Sequence, residues 1–151
     1  SKKKVLVFEI NKSIIKNLRN NLINNKCKFN LYNNNLVLKN FNKTSEYFIG
    51  KNFLSTSQYL KTGKLEKVKN LHFSRIKDFS KYNTLIIDGE GVEEHFLNNL
   101  NRIKNIRYII FEMHNNILSP RKIKNLFNNL KKNNFVQIDK CFNSFYFKKE
   151  K

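Results

Sequence analysis

Three short apolar runs, each closed by a carboxylate, constrain this chain more than any other feature: KVLVFE (4–9), TLIID (84–88) and IRYIIFE (106–112). Runs of this length, rich in β-branched and aromatic residues, suit buried strands and are too short for independent helices. Each leads into a segment with helical periodicity. After the first, Asn11 or Ser13 can cap a helix. In it Ile14, Leu18 and Leu22 recur every four residues, with Ile15 beside them, through about Asn25. After the second, Gly91 starts a helix with Val92, Phe96, Leu97, Leu100 and Ile103 on one face. After the third, Ser119-Pro120 supplies a capping hydroxyl and a first-turn proline, and Ile123, Leu126, Phe127 and Leu130 keep the period.

The remaining segments read as strands and turns. Residues 28–38 (KFNLYNNNLVL) alternate, as one strand or as two broken at the Asn triplet. Between 39 and 67 the pattern is weak: a strand-like piece at 46–49, a polar Ser55-Thr56-Ser57 patch, and Gly50 and Gly63 as punctuation. Residues 68–73 resemble a further strand and 75–79 a turn of helix. The chain closes with strands at 135–138 and 142–147, joined by a short polar turn and therefore antiparallel. Strand–helix alternation with apolar strands predicts a mostly parallel, doubly wound, Rossmann-like α/β sheet with a C-terminal antiparallel hairpin at one edge. At 151 residues, a single domain spanning 1–151 is expected.

Composition narrows the functional classes. The formal net charge of +19 invites a nucleic-acid reading. The lysines, however, are scattered without a long basic block, and they rise together with asparagine, as A- and T-rich codons dictate. Arginine, the better residue for bidentate phosphate and guanine contacts, occurs five times. Nucleic acid is thus the lesser partner expected. No apolar run is long enough to span a bilayer and no signal peptide opens the chain, so no membrane is expected and the location expected is cytoplasmic. Cys27 and Cys141 lie too far apart for a C-x-x-C motif, and no set of four Cys/His ligands has zinc-site spacing. They are expected to be buried or half-buried free thiols, and no metal site is expected.

With eleven acidic residues in the whole chain, placement carries information. Glu9, Asp88 and Glu112 each stand at the carboxyl end of an apolar strand, the rim where open α/β sheets bind ligands. A carboxylate there can accept hydrogen bonds from both hydroxyls of a ribose, and Glu9 has that position. Asp88, Glu90, Glu93 and Glu94 crowd into seven residues. Glu93 and Glu94 fit the first turn of their helix, where its dipole favours acids, whereas Asp88 and Glu90 come too early for that and are better site candidates. His114, two residues past Glu112, is the histidine of most interest; His72 and His95 read as structural. No Gly-x-Gly-x-x-Gly or phosphate loop and no nucleophilic triad is present.

TLIIDGEGVEEHFLNNL (84–100) resembles the Asp-x-Glu-Gly-x-Glu segment of the FkbM-like methyltransferases. VLVFEINKSIIKNLRNNLINN (5–25) is similar to that family's second strand and helix, YIIFEMHNN (108–116) to its following acid-terminated strand, and FVQIDKCFNSFYFKK (135–149) to its terminal hairpin. Ile10 departs from the family's proline, Gly89 from an apolar residue and Ile86 from a lysine. The resemblance implies a class I methyltransferase fold whose first strand and glycine-rich turn would precede Ser1, with S-adenosyl-L-methionine as cofactor. It implies O-methylation of a hydroxyl on a sugar, glycan or small metabolite. Glu9 would bind the ribose and Asn11 shape that turn. Asp88 and Glu90 would lie near donor and acceptor, and one of Asp88, Glu90, Glu112 or His114 would act as general base. The rival expectations are a basic nucleic-acid-binding module and a non-catalytic methyltransferase remnant.

Overall fold

The computed structural model describes residues 4–39, 42–50, 56–57 and 63–150. Strand β1 (Lys4–Phe8) passes through Asn11 into helix α1 (Lys12–Asn24). Asn11 caps that helix: its Oδ1 accepts the Ser13 backbone N–H at 3.0 Å and the Ser13 hydroxyl at 2.7 Å. The chain returns as β2 (Lys28–Tyr32), parallel to β1 with Phe8 opposite Tyr32 and their rings stacked at 5.1 Å. The Asn triplet divides the next segment. The Asn33 amide donates to the carbonyls of Glu9 and Ile10, at 2.8 and 3.2 Å, and this turns the chain before β3 (Asn35–Val37).

A second sheet follows from β4 (Thr44–Ile49), β5 (Thr56–Ser57) and β6 (Lys64–His72). Its order is β3-β6-β4-β5, with β3 parallel to β6 and the other pairs antiparallel. Gly63, at φ +106°, begins the return into β6, where any Cβ would collide with the Ile49 carbonyl. Two 3₁₀ turns, Phe73–Arg75 and Phe79–Lys81, connect to β7 (Thr84–Ile87).

The third sheet holds the chemistry. Short helix α2 (Glu93–Leu97) separates β7 from β8 (Tyr108–Glu112), and α3 (Pro120–Lys132), capped by Ser119, leads to β9 (Phe135–Cys141) and β10 (Ser144–Lys149). The strand order is β7-β8-β10-β9, with β7 parallel to β8 and both other pairs antiparallel. The main core gathers here. Ile109, Phe111, Leu126, Leu130 and Phe147 pack with Leu97, Leu100 and Ile103, and Leu6 and Phe8 of β1 lean on the same cluster. Phe111 stacks on Phe145 and Phe147 at 5.4 and 5.8 Å.

The doubly wound, mostly parallel Rossmann-like sheet of the class I methyltransferase type is overturned. The described strands form three small sheets in which antiparallel pairs outnumber parallel ones, and no strand lies beside β7 or β1 on their outer edges among the described residues. Two physical reasons account for the difference. A doubly wound sheet covers both faces of its strands, whereas β7, although parallel to β8, leaves Ile86 in the middle of TLII 68% exposed. The helix expected from Gly91 onward also stops at Leu97. Asn99 turns its amide back onto the His95 carbonyl at 2.6 Å, and a 3₁₀ turn over Leu100–Arg102 replaces further α-helix. Phe96, Leu97, Leu100 and Ile103 are buried nonetheless, so the apolar pattern located core residues without specifying a long helix.

Ser55 of the polar patch lies outside the described residues, while Thr56 and Ser57 form β5. Cys27 is half-buried, whereas Cys141, expected to be sheltered, is exposed at the end of edge strand β9. No helix among the described residues is long and apolar enough to cross a membrane.

Candidate functional site

The carboxyl ends of β7 and β8 bring two of the strand-end acids together, while Glu9 follows β1 of the separate β1-β2 sheet. Asp88, Glu112 and His114 each offer a ligand atom within 4.8 Å of the others. Glu9 stands close enough to Asp88 for the Asp88 charge to act on its ionisation. Parallel pairing of β7 with β8 sets Ile87 beside Phe111, so the residues that follow, Asp88 and Glu112, emerge at the same rim. Glu112 is held in register by Ser144 of β10, and the next residue, Met113, is tied to the Asn143 carbonyl at 2.8 Å.

Glu9 is anchored by backbone. Its N–H donates to the Tyr32 carbonyl at 3.1 Å, and its Oε1 accepts the Asn11 N–H at 2.6 Å. Burial pushes its carboxyl above the usual carboxylate range; the Asn11 and Ile10 N–H groups pull the other way, and the neighbouring Asp88 charge adds to the rise. Asn11 itself is 3% exposed. With its Oδ1 on Ser13 and its Nδ2 on the Thr56 hydroxyl at 3.4 Å, its side chain serves the turn.

Glu90 sits one residue before Gly91, which adopts φ +93° and so turns the chain into α2 in a conformation that glycine alone adopts freely. The Ser57 hydroxyl donates to the Glu90 carbonyl at 3.3 Å, and among the described residues Glu90 Oε2 is buried without a hydrogen-bond partner.

The residue that sequence reasoning missed is Glu93. It is fully buried, and its Oε1 accepts the His114 Nδ1–H at 2.6 Å. That hydrogen bond raises the His114 pKa above its ordinary value. Burial opposes the rise, while the charges of Glu93, Glu112 and Asp88 reinforce it. The signal was present in the spacing: Glu93 is the third acid of Asp-x-Glu-Gly-x-Glu, although a first-turn acid has a sufficient local explanation in the helix dipole. Glu94 next to it faces outward and pairs with Lys122 at 2.9 Å. The polar groove along α3 that includes Glu94, Asn98 and Asn129 contains none of the rim acids.

His95, on the same short helix, accepts the Leu38 N–H on Nε2 at 3.0 Å and must be neutral to do so. Burial lowers its pKa, with the charge of Lys39 adding to the effect. A histidine depressed on folding contributes stability that is complete above its unfolded pKa, about 6.5, and is lost as the pH falls through the folded value. Denaturation midpoints should therefore decline between neutral pH and pH about 5 more steeply in the wild type than in His95→Gln. Parallel pH profiles would remove His95 from the account.

Comparison with protein-family models, with curated proteins and with solved structures gives no match.

Proposed function

We propose that the chain is an S-adenosylmethionine-dependent O-methyltransferase acting on a hydroxyl of a sugar or small metabolite. The observation that supports it best is the convergence of Asp88, Glu112 and His114 at the carboxyl ends of β7 and β8, with Glu9 near enough to Asp88 to feel its charge. In a chain of net charge +19, a local concentration of carboxylates favours a cationic ligand, and the sulfonium of the donor is one. The Glu9 carboxylate has about four lone-pair positions, of which backbone N–H groups engage part; the rest suit the two ribose hydroxyls. Methyl transfer then needs the acceptor oxygen in line with the S–CH₃ bond, and alignment alone supplies much of the rate. The acceptor's proton passes to one of Asp88, Glu90, Glu112 or His114 as its oxygen attacks.

Replacing Glu9 by Ala leaves ribose hydroxyls and backbone donors without an acceptor. Donor binding measured by calorimetry should weaken by about 1–3 kcal/mol. Unchanged affinity would take Glu9 out of the cofactor site. Oligonucleotide binding that collapses with added salt, with no donor binding, would favour the nucleic-acid reading instead.

A further inference from the structure

Beyond methyl transfer, the geometry points to a divalent metal site: we propose that Asp88, Glu112 and His114 bind an Mn²⁺-class cation, with Glu93 positioning the histidine. Three independent features carry this. The donor set is two carboxylates and one imidazole, a mixture that suits a first-row divalent ion better than Ca²⁺ or a thiol-preferring metal. Asp88 is exposed and the other two are half-buried, so a bound ion keeps open positions toward solvent.

The charge balance is the second feature. The ion pairs between lysines and acids among the described residues engage Glu46, Glu66, Asp78 and Glu94. No described lysine or arginine pairs with Asp88 or Glu112, in a chain holding 30 such residues. Two converging carboxylates without a lysine or arginine partner among the described residues, in so basic a protein, are a place for an external cation.

Glu93 is the third. A wholly buried carboxylate on His114 Nδ1 fixes the ring's orientation and leaves Nε2 as the nitrogen free to bind. Carboxylate–histidine pairs of this kind stand behind metal ligands and raise their basicity. Among the described residues the second oxygen of Glu93 is buried without a hydrogen-bond partner. Bonds of about 2.1 Å place ligand atoms roughly 3–4 Å apart. The ligand atoms, all within 4.8 Å of one another, are therefore close to the spacing a bound ion requires.

The test is titration of the full chain with Mn²⁺, read by loss of the free-ion paramagnetic resonance signal. One ion per chain should bind. His114→Ala and Glu112→Gln should each cost at least about tenfold in affinity, and Glu93→Gln about 10- to 100-fold with the circular dichroism unchanged. Glu46→Gln, a distant surface acid, should bind as the wild type does, and equimolar Ca²⁺ should not displace Mn²⁺. Absence of binding at millimolar Mn²⁺, or equal binding by the wild type, His114→Ala and Glu112→Gln, overturns the site. Full affinity in Glu93→Gln overturns the positioning role. No methyl donor is present in these measurements, so their failure leaves the transferase reading standing, and the converse holds as well.

Discussion

Phe111→Ala should lower folding stability by about 3–5 kcal/mol, the largest loss expected from a single truncation in this protein. Phe111 is 1% exposed at the middle of the third sheet, where β8 runs between β7 and β10. Its ring stacks on Phe145 and Phe147 and meets Phe127 edge-on at 6.3 Å, so truncation removes contacts on several sides at once. A domain of this size has a total stability of only about 5–15 kcal/mol, so the variant should be substantially unfolded at moderate denaturant concentrations. Phe111→Leu, which refills most of the space, should recover more than half of the loss. The consequence reaches the site, because Glu112 is the next residue on the same strand. A loss below about 1 kcal/mol in urea titration would mean that the aromatic cluster is not packed as described.

The contrast between Glu112 and Glu93 shows what could be read from sequence and what could not. A carboxylate closing an apolar strand is a local pattern, and it located Glu9, Asp88 and Glu112 at their strand ends, with Asp88 and Glu112 side by side, because strand ends are set by residues next to them in the chain. Glu93 and His114 are 21 residues apart, and nothing local tells a buried first-turn acid from a solvated one. The metal-type cluster was hidden for the same reason, since its ligands come from the ends of two strands and a following loop. Coverage failed differently. The run 84–87 runs parallel to β8 as expected and is apolar enough to be covered on both sides, yet neighbours decide coverage, and Ile86 faces outward. The closing hairpin was legible in place as well as in type: expected as antiparallel strands at 135–138 and 142–147 by one edge, it stands at Phe135–Cys141 and Ser144–Lys149 with β9 outermost. The first residue of β9 is buried and the rest are exposed, as befits an edge strand outside β10.

The buried pair itself provides the sharpest remaining test. Breaking a buried charged pair by removing one partner typically costs about 3–5 kcal/mol, because the survivor stays desolvated. For Glu93→Ala the lower end, about 3 kcal/mol, applies, since the His114 side chain keeps 19% exposure and the charges of Asp88 and Glu112 remain nearby. Glu93→Gln separates hydrogen bond from charge: its amide oxygen can still accept from Nδ1 but no longer stabilises the imidazolium. His114 has a folded pKa raised above its unfolded value of about 6.5, chiefly by the Glu93 hydrogen bond. Its proton-linked stability is therefore fully present below about pH 6.5 and is lost as the pH rises through the folded value. In chelator-treated buffer, Glu93→Gln should thus be more destabilising at pH about 6 than at pH about 9, whereas His114→Gln should abolish that difference when combined with it. Equal destabilisation at both pH values would show that Glu93 holds a neutral ring, and the charged pair at the base of this site would have to be abandoned.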